Sequence, residues 1–372
     1  MLIAAVSLIA VAACRDGGKD GETPSAFESP GPYPVGNATF LVTDSASGRV
    51  LLTEVWYPAA ESARAAADAG APIEEFVPAG ANRDAFVALL PAAADPGTRR
   101  RTSSARDAIP ATGGPWPVAA FSHCHGCLRF SSFTVAERLA SHGVVVLAPD
   151  HPDGDLFARL GGTLSGITPE FLAVRGGDMS AMISLVLTSA GTLLPAGLAL
   201  DPDRIGAFGH SYGAATTGYL LHEDSRIKAG AALAAPMSNP LFPAVTMAGI
   251  AEPTFLLVAR EDNSITETGN DFIRLNFADA AAPSAIAEVA DAGHWSFSDL
   301  CGITPAYEAG CVEGATRQTN GEPFTYLDVT AGRQIAASYV TAFFAARLQN
   351  DPTGAAYLES GHPRPTVTTQ TK

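Results

Sequence analysis

The sequence predicts an α/β fold with a mostly parallel central sheet and helices on both faces. Short apolar segments rich in Val, Ile and Ala alternate along the chain with segments of helical periodicity. Apolar strands that alternate with helices indicate a sheet buried on both sides. The composition agrees, because 47% of the 372 residues are hydrophobic and 36 are glycines, which suits a large core with many turns.

The predicted domain spans residues 38–350 and opens with a hairpin. Alternating, β-branched segments at 38–44 and 49–58 are joined by a short turn. Residues 59–114 are Ala-rich with scattered Arg, Pro and Gly, which indicates an irregular or helical insertion. Two apolar strands then enclose a helix that ends at Gly143.

The alternation continues in the second half of the domain. Residues 155–200 are longer than a simple crossover connection between two strands, and they contain a helical segment. We therefore expect part of this second insertion to form a wall of the site. A strand at 204–211 leads into a helix at 213–223. The remaining predicted elements are strands at 227–233, 253–259 and 284–290 and a helix at 332–349. The tail, 351–372, is rich in Pro and Thr and is expected to fray.

The N-terminal residues predict export. Residues 1–13 are an apolar run too short to span a bilayer, and they end in Val-Ala-Ala before Cys14. This pattern resembles a bacterial lipoprotein signal, in which the cysteine is lipidated, so we expect a membrane anchor in the periplasm or on the cell surface. The alternative is an ordinary secretory signal in which Cys14 is incidental. Residues 14–37 are rich in Gly, Pro, Ser and acidic residues, which predicts a flexible tether.

The charge of the chain excludes one class of partner. The formal net charge is -15. No basic stripe is present to displace phosphate counterions, so we expect no nucleic-acid partner. Acidity of this kind is typical of a soluble surface.

Four cysteines remain once Cys14 is set aside, and an even number in an exported chain predicts disulfides. Cys301 and Cys311 bracket a loop with Gly and Pro and are the favoured pair, while Cys124 and Cys127 could close a C-x-x-C ring. The stretch HCHGC also offers two histidines for zinc. No second ligand cluster follows at a suitable spacing, so no metal is expected.

The stretch RIGAFGHSYGAAT at 204–216 carries the pattern G-x-S-x-G around Ser211. The pattern gains meaning from its context, an apolar strand before the serine and a small-residue helix after it. Such a turn exposes the hydroxyl at the carboxyl edge of the sheet, and Gly209 and Gly213 avoid side chains that would collide there. The amide of Tyr212, first in the helix, then faces an anion that forms beside Oγ. Ser211 is therefore the predicted nucleophile.

A serine hydroxyl needs a histidine to take its proton, and on such a sheet the histidine follows the serine in the chain. After Ser211, His222 lies on the next helix and His362 in the tail. His294, in the loop after the last predicted strand, is therefore the predicted base.

The histidine must in turn be oriented by a carboxylate. The loop after strand 253–259 can carry one, and there Asp262 is favoured and Glu261 is the alternative. Asp291 and Asp299 are close to the histidine in sequence and less able to reach its ring.

A second oxyanion donor is expected from the loop after the earlier strand, in FSHCHGC at 121–127. The backbone amide of His125 is favoured and that of Cys124 is the alternative. A plain turn with structural histidines is the other interpretation of this stretch.

These motifs together resemble α/β-hydrolases of the platelet-activating-factor acetylhydrolase-like group, which overlaps bacterial dienelactone-hydrolase-like esterases. The likeness covers most of residues 38–350 and rests on EVWYP, on FSHCHGCLRFSSFTVAERLASHG followed by VVVLAPDHPDG, on GHSYGAAT and on GHWSFSDLC. It implies the α/β-hydrolase fold and a serine esterase without metal or other cofactor that cleaves small acyl groups from esters, including lipid esters.

The chain departs from this group at two positions. Cys124 replaces the first glycine of the usual His-Gly-x-Gly loop. Animal acetylhydrolases carry the triad Asp soon after the strand that follows the nucleophile helix, where this chain has Ala234. We therefore expect the acid at Asp262, as in many other hydrolases of the fold, which argues against platelet-activating factor itself as the substrate.

The sequence thus predicts a serine carboxylic ester hydrolase that acts through an acyl-enzyme on short-chain acyl or lipid esters. A lipase, polyesterase or amidase with the same triad is one alternative. A non-catalytic envelope lipoprotein that binds ligands on the same scaffold is another.

Overall fold

The computed structural model describes residues 26–95, 99–360 and 366–372. Its strands are β1 Val35–Thr43, β2 Val50–Pro58, β3 Ser104–Arg106, β4 Trp116–Ser122, β5 Val145–Pro149, β6 Leu200–His210, β7 Ile227–Leu233, β8 Thr254–Ala259, β9 Ala285–Val289, β10 Ala315–Thr316, β11 Pro323–Phe324 and β12 Val367–Thr371. Its α-helices are α1 Arg64–Ala69, α2 Ala81–Leu89, α3 Phe133–Ser141, α4 Leu156–Leu160, α5 Pro169–Leu193, α6 Tyr212–Glu223, α7 Thr266–Asp279, α8 Val329–Leu348 and α9 Pro352–Ser360.

Ten of the described strands form one sheet in the order β12-β9-β8-β7-β6-β4-β5-β2-β1-β3. Every pairing from β5 through β4, β6, β7 and β8 to β9 is parallel. The hairpin β1–β2 joins β5 in antiparallel pairing, and β12 pairs antiparallel with β9 at the opposite edge. This arrangement confirms the predicted fold class.

The sheet is buried on both faces because its strands carry small or apolar residues on both sides. In β6, Phe208 belongs to the core on the α3 and α8 face, while Ala207 belongs to the core that contains residues of α5, α6 and α7. Successive side chains of a strand point to opposite faces, so a continuous apolar run fills both layers.

The two predicted insertions contain regular elements. Residues 59–114 hold α1, α2 and β3, and residues 155–200 hold α4 and α5. Within the described residues, α5 alone is long and apolar enough to cross a membrane. Its Met179, Met182 and Ile183 pack into the core beside the sheet, as the core helix of a globular domain does.

The chain differs from the sequence prediction at both ends of the domain. The predicted fraying tail contains α9, whose Tyr357 and Leu358 are buried in the core, and the edge strand β12. Within the predicted tether, Phe27 is buried, and its ring lies 5.7 Å from that of Tyr357. These few apolar residues anchor both segments to the fold. The predicted signal sequence, Cys14 and His362 lie outside the described residues.

Candidate active site

The serine lies in a strained turn between β6 and α6. Ser211 has φ 56° and ψ -122°, a conformation that is rare for a residue with a side chain and that clusters at functional sites. A Cβ on Gly209 would come 2.1 Å from the carbonyl oxygen of Gly213, and one on Gly213 would come 1.8 Å from that of Ser122. The two glycines of the motif are therefore required by close backbone contacts, which hold the half-buried serine at the mouth of a cleft.

The structure brings His294 and Asp262 together. His294 Nδ1 lies 2.7 Å from Asp262 Oδ2, and both side chains are buried. The other carboxylate oxygen, Oδ1, accepts the backbone amides of Ser264 at 2.8 Å and Ile265 at 3.0 Å. These three hydrogen bonds fix the direction of the carboxylate and hold the ring in the tautomer whose Nε2 is free to accept a proton.

The other carboxylates considered from the sequence contact different partners. Glu261, the alternative acid, pairs with Arg317 at 2.7 Å, and Asp291 pairs with the same guanidinium at 2.8 Å. Asp299 accepts hydrogen bonds from the amide and hydroxyl of Thr134. Of these neighbouring carboxylates, the one at hydrogen-bond distance from the histidine is thus Asp262.

A second histidine connects the serine turn to the His294 loop. His210, which directly precedes Ser211, donates its Nε2 hydrogen to the backbone carbonyl of His294 at 2.8 Å. Burial, with a smaller effect of His294, lowers the pKa of His210 to about 3, so its ring is neutral. A neutral ring does not repel the positive charge that a base acquires when it takes a proton.

The predicted oxyanion donors flank the same turn. Tyr212 is the first residue of α6, where the amides of a helix have no intrahelical acceptor. In the loop after β4, the amide of Gly126 donates to Gly154 at 2.8 Å and that of Cys127 to Cys124 at 3.2 Å. Neither bond uses the amide of His125 or that of Cys124, the two predicted candidates, so both remain candidates for the second oxyanion donor.

The side chain of His125 contributes to the loop structure. Its Nε2 donates to the carbonyl of Ser165 at 2.6 Å, and its ring lies edge-on to the ring of Tyr212 at 5.9 Å. Burial lowers the pKa of His125, with smaller effects of nearby guanidinium groups. The ring is therefore a neutral donor that connects this loop to the segment before α5.

The four cysteines of the domain form two disulfides, which resolves the pairing that the sequence leaves open. Cys124 pairs with Cys127 and Cys301 with Cys311, at Cα separations of 5.2 and 6.1 Å. Because these sulfurs are bonded to each other, the thiolates that a zinc site at HCHGC would require are absent.

A buried tyrosine joins the two disulfide loops. Tyr307, in the loop closed by the second disulfide, stacks on Trp295 with ring centroids 4.0 Å apart. Its hydroxyl donates to the carbonyl of Gly126 in the oxyanion loop. Trp295 directly follows His294, so Tyr307 connects the histidine loop with the predicted oxyanion loop.

A second Ser–His–Asp set, which is not predicted from the sequence, lies inside the protein. Ser122 Oγ is 3.0 Å from His151 Nε2, and His151 Nδ1 is 3.0 Å from Asp178 Oδ2. All three are buried, and Arg175 donates to the serine hydroxyl at 2.9 Å. Burial, with smaller effects of Arg175 and a second arginine, holds the pKa of His151 well below its ordinary value. Because a substrate has no access to these buried groups, the set has a structural role and connects β4, the segment after β5 and α5. No spacing in the sequence indicates it.

A cleft of about 560 Å³ opens beside Ser211. Its walls come from Ile167 before α5, from residues 235–242 after β7 and from residues 264–272 after β8. A wall is predicted from part of residues 155–200, and Ile167 lies in that range. The other two walls are not predicted. Their position directly after the carboxyl ends of parallel strands is the signal that could have indicated them.

Comparisons with known proteins show which families this chain resembles. Residues 22–158 match the family model of platelet-activating factor acetylhydrolase, isoform II. The platelet-activating factor acetylhydrolase of Bos taurus is 30% identical over 174 residues, 37% of this chain and 38% of that protein. That of Canis lupus familiaris is 28% identical over 181 residues, 39% of this chain and 40% of that protein. The chain thus spans about two fifths of the length of these curated relatives.

A similar solved structure is a ferulic acid esterase from Streptomyces cinnamoneus. It has a TM-score of 0.66 and 22% sequence identity, and the match covers 94% of this chain and 98% of that one. The protein is therefore an α/β-hydrolase by fold, similar in its N-terminal part to the platelet-activating factor acetylhydrolases.

Proposed function

We propose that this protein is a serine carboxylic ester hydrolase that acts through an acyl-enzyme on short-chain acyl or lipid esters. One observation carries the proposal: Ser211 occupies a strained turn at a cleft, next to a loop in which His294 Nδ1 is 2.7 Å from Asp262 Oδ2. The acetylhydrolase relatives and the esterase neighbour support an ester hydrolase.

The proposed reaction has two halves. In the first, His294 Nε2 takes the proton of Ser211 as Oγ bonds to the ester carbonyl carbon, and the amides of Tyr212 and His125 bind the oxyanion. The alcohol then leaves with the proton from His294, while Asp262 stabilises the imidazolium. In the second half, water attacks the acyl-enzyme, His294 accepts its proton, and that proton returns to Ser211 as the acid leaves. Losing one oxyanion donor in such a site costs about 3 kcal/mol of transition-state stabilisation.

A fluorophosphonate probe tests the nucleophile. We expect the wild-type protein to be labelled and the Ser211→Ala variant to remain unlabelled, because the probe phosphonylates an activated serine. Ser264→Ala is the matched control, since Ser264 is an exposed hydroxyl of the same cleft and should leave labelling unchanged. Labelling that persists in Ser211→Ala would contradict the proposal. A folded wild-type protein that is never labelled would favour the non-catalytic alternative.

We also propose that the protein is exported and held at the membrane by a lipid on Cys14. Expressed in a bacterial host fed an alkyne-modified fatty acid, the full chain should carry the label and sediment with membranes. Cys14→Ser should lose the label and enter the soluble fraction, while Ser211→Ala should behave like the wild type. A membrane-bound, labelled Cys14→Ser chain would contradict this anchor.

A further inference from the structure

Among the residues that the structure describes, those lining the cleft beside Ser211 carry no charged side chain. Its walls are apolar, formed chiefly by Leu241, Phe242, Ile265 and Phe272. The polar side chains among the described lining residues are hydroxyls and one amide, those of Ser211, Tyr212, Asn239, Ser264 and Thr268. Such a lining can desolvate an apolar group at little cost, but it offers no counter-ion to a charged one.

Two guanidinium groups of the described residues lie near the site and make their hydrogen bonds outside the cleft. Arg175 is buried and donates to the hydroxyls of Thr216 at 3.1 Å and Ser122 at 2.9 Å. Arg159 donates to the carbonyl of His125 at 3.1 Å. Arg175 packs against the ring of Tyr212, 4.8 Å from its centroid, but neither guanidinium is among the residues that line the cleft.

The surrounding charge is unfavourable for an anion as well. The whole chain carries a formal net charge of -15, which repels anionic substrates before they bind. Two hydrophobic side chains of the lining are exposed at its mouth, Leu241 at 65% and Ile167 at 47%.

We infer that the site selects uncharged, apolar esters and rejects esters that carry a carboxylate or phosphate on the group held in this cleft. The inference rests on the proposed function and specifies its substrate class. An anion that enters the cleft loses water without gaining a partner, and the expected penalty corresponds to about a 100-fold loss in kcat/KM.

Three p-nitrophenyl esters with the same leaving group test the inference on the purified protein. They are the hexanoate, the mono-adipate, which ends in a carboxylate, and the methyl adipate, in which that carboxylate is masked as a neutral ester. We expect the hexanoate and the methyl adipate to be hydrolysed with similar kcat/KM and the mono-adipate about 100-fold more slowly. The methyl adipate separates the effect of charge from that of length. Equal kcat/KM for the mono-adipate and its methyl ester would overturn the inference.

A variant that adds a positive charge tests whether the cleft itself causes the selectivity against anionic esters. Leu241→Lys places a cation at the exposed mouth of the cleft. It should raise kcat/KM for the mono-adipate about tenfold relative to that for its methyl ester, which is the scale of a charge-assisted contact. Leu275→Lys adds the same charge at an exposed leucine of α7, 54% accessible and outside the lining, and should leave the ratio unchanged. An equal shift in both variants would assign the selectivity to overall charge and overturn the inference. Absence of turnover for all three esters, together with absence of probe labelling, would instead remove the proposed function.

Discussion

Replacing His294 with alanine is expected to lower kcat for a p-nitrophenyl ester by about 10⁶-fold, because the serine then has no base and the alcohol no acid. His294 is buried and, among the described groups, it is the imidazole held by a carboxylate beside the serine turn. Steady-state kinetics on folded variants measures the loss, and thermal unfolding checks that the fold persists.

His222→Ala is the matched control for this experiment. His222 also follows Ser211 in the chain, but it lies on α6, and its Nδ1 pairs with Glu223 at 2.7 Å on the surface. We expect this variant to keep wild-type kcat. A His294→Ala protein that retains more than about a tenth of the wild-type rate would rule out the residue as the base, since general base catalysis contributes at least about 10²-fold.

Replacing Asp262 with asparagine is expected to lower kcat by about 10⁴-fold, because an amide facing Nδ1 favours the wrong tautomer of the histidine. The side chain is isosteric, so its oxygen can still accept the amides of Ser264 and Ile265, and the loss should fall on kcat rather than on stability. Kinetics with the same ester, combined with thermal unfolding, separates the two effects.

Glu261→Gln decides between the two acids that the sequence leaves open. Glu261 accepts a hydrogen bond from the guanidinium of Arg317 at 2.7 Å, and Arg317 is partly exposed. We therefore expect only a few-fold change in kcat and a small loss of stability. A larger loss of kcat in Glu261→Gln than in Asp262→Asn would show that the acid has been assigned to the wrong residue.

The serine turn could be predicted from sequence because its determinants are local. Gly209 and Gly213 lie within two residues of Ser211, and the contacts that require them, including the one with Ser122, recur wherever a strand enters a helix by such a turn. The choice of His294 depended on chain order, which parallel topology imposes.

Which of the two acidic residues faces the histidine could not be predicted from the sequence in the same way. Asp262 and Glu261 are neighbours on one loop, and either could be placed near a histidine by a small rotation of the backbone. The amides of Ser264 and Ile265 select Asp262, and their directions follow from how the loop enters α7. That information lies in three-dimensional packing rather than in residue type.

The composition of the C-terminal segment predicts fraying, but its order in the structure depends on pairing with a distant strand. Its strand, Val367–Thr371, is rich in β-branched threonine, which suits an edge strand, but it forms only against β9, a partner about eighty positions earlier in the chain. The buried set Ser122–His151–Asp178 was missed for the same reason, since its members come from three separate elements.

The disulfides have a practical consequence for how the protein should be prepared. One closes the loop that holds His125, and the other closes the loop from which Tyr307 reaches Gly126. A chain synthesised in a reducing cytoplasm would carry free thiols at these positions, and both segments around the serine would lose their covalent closure. Recombinant production therefore belongs in an oxidising compartment, and reductants such as dithiothreitol should be omitted from purification and assay buffers.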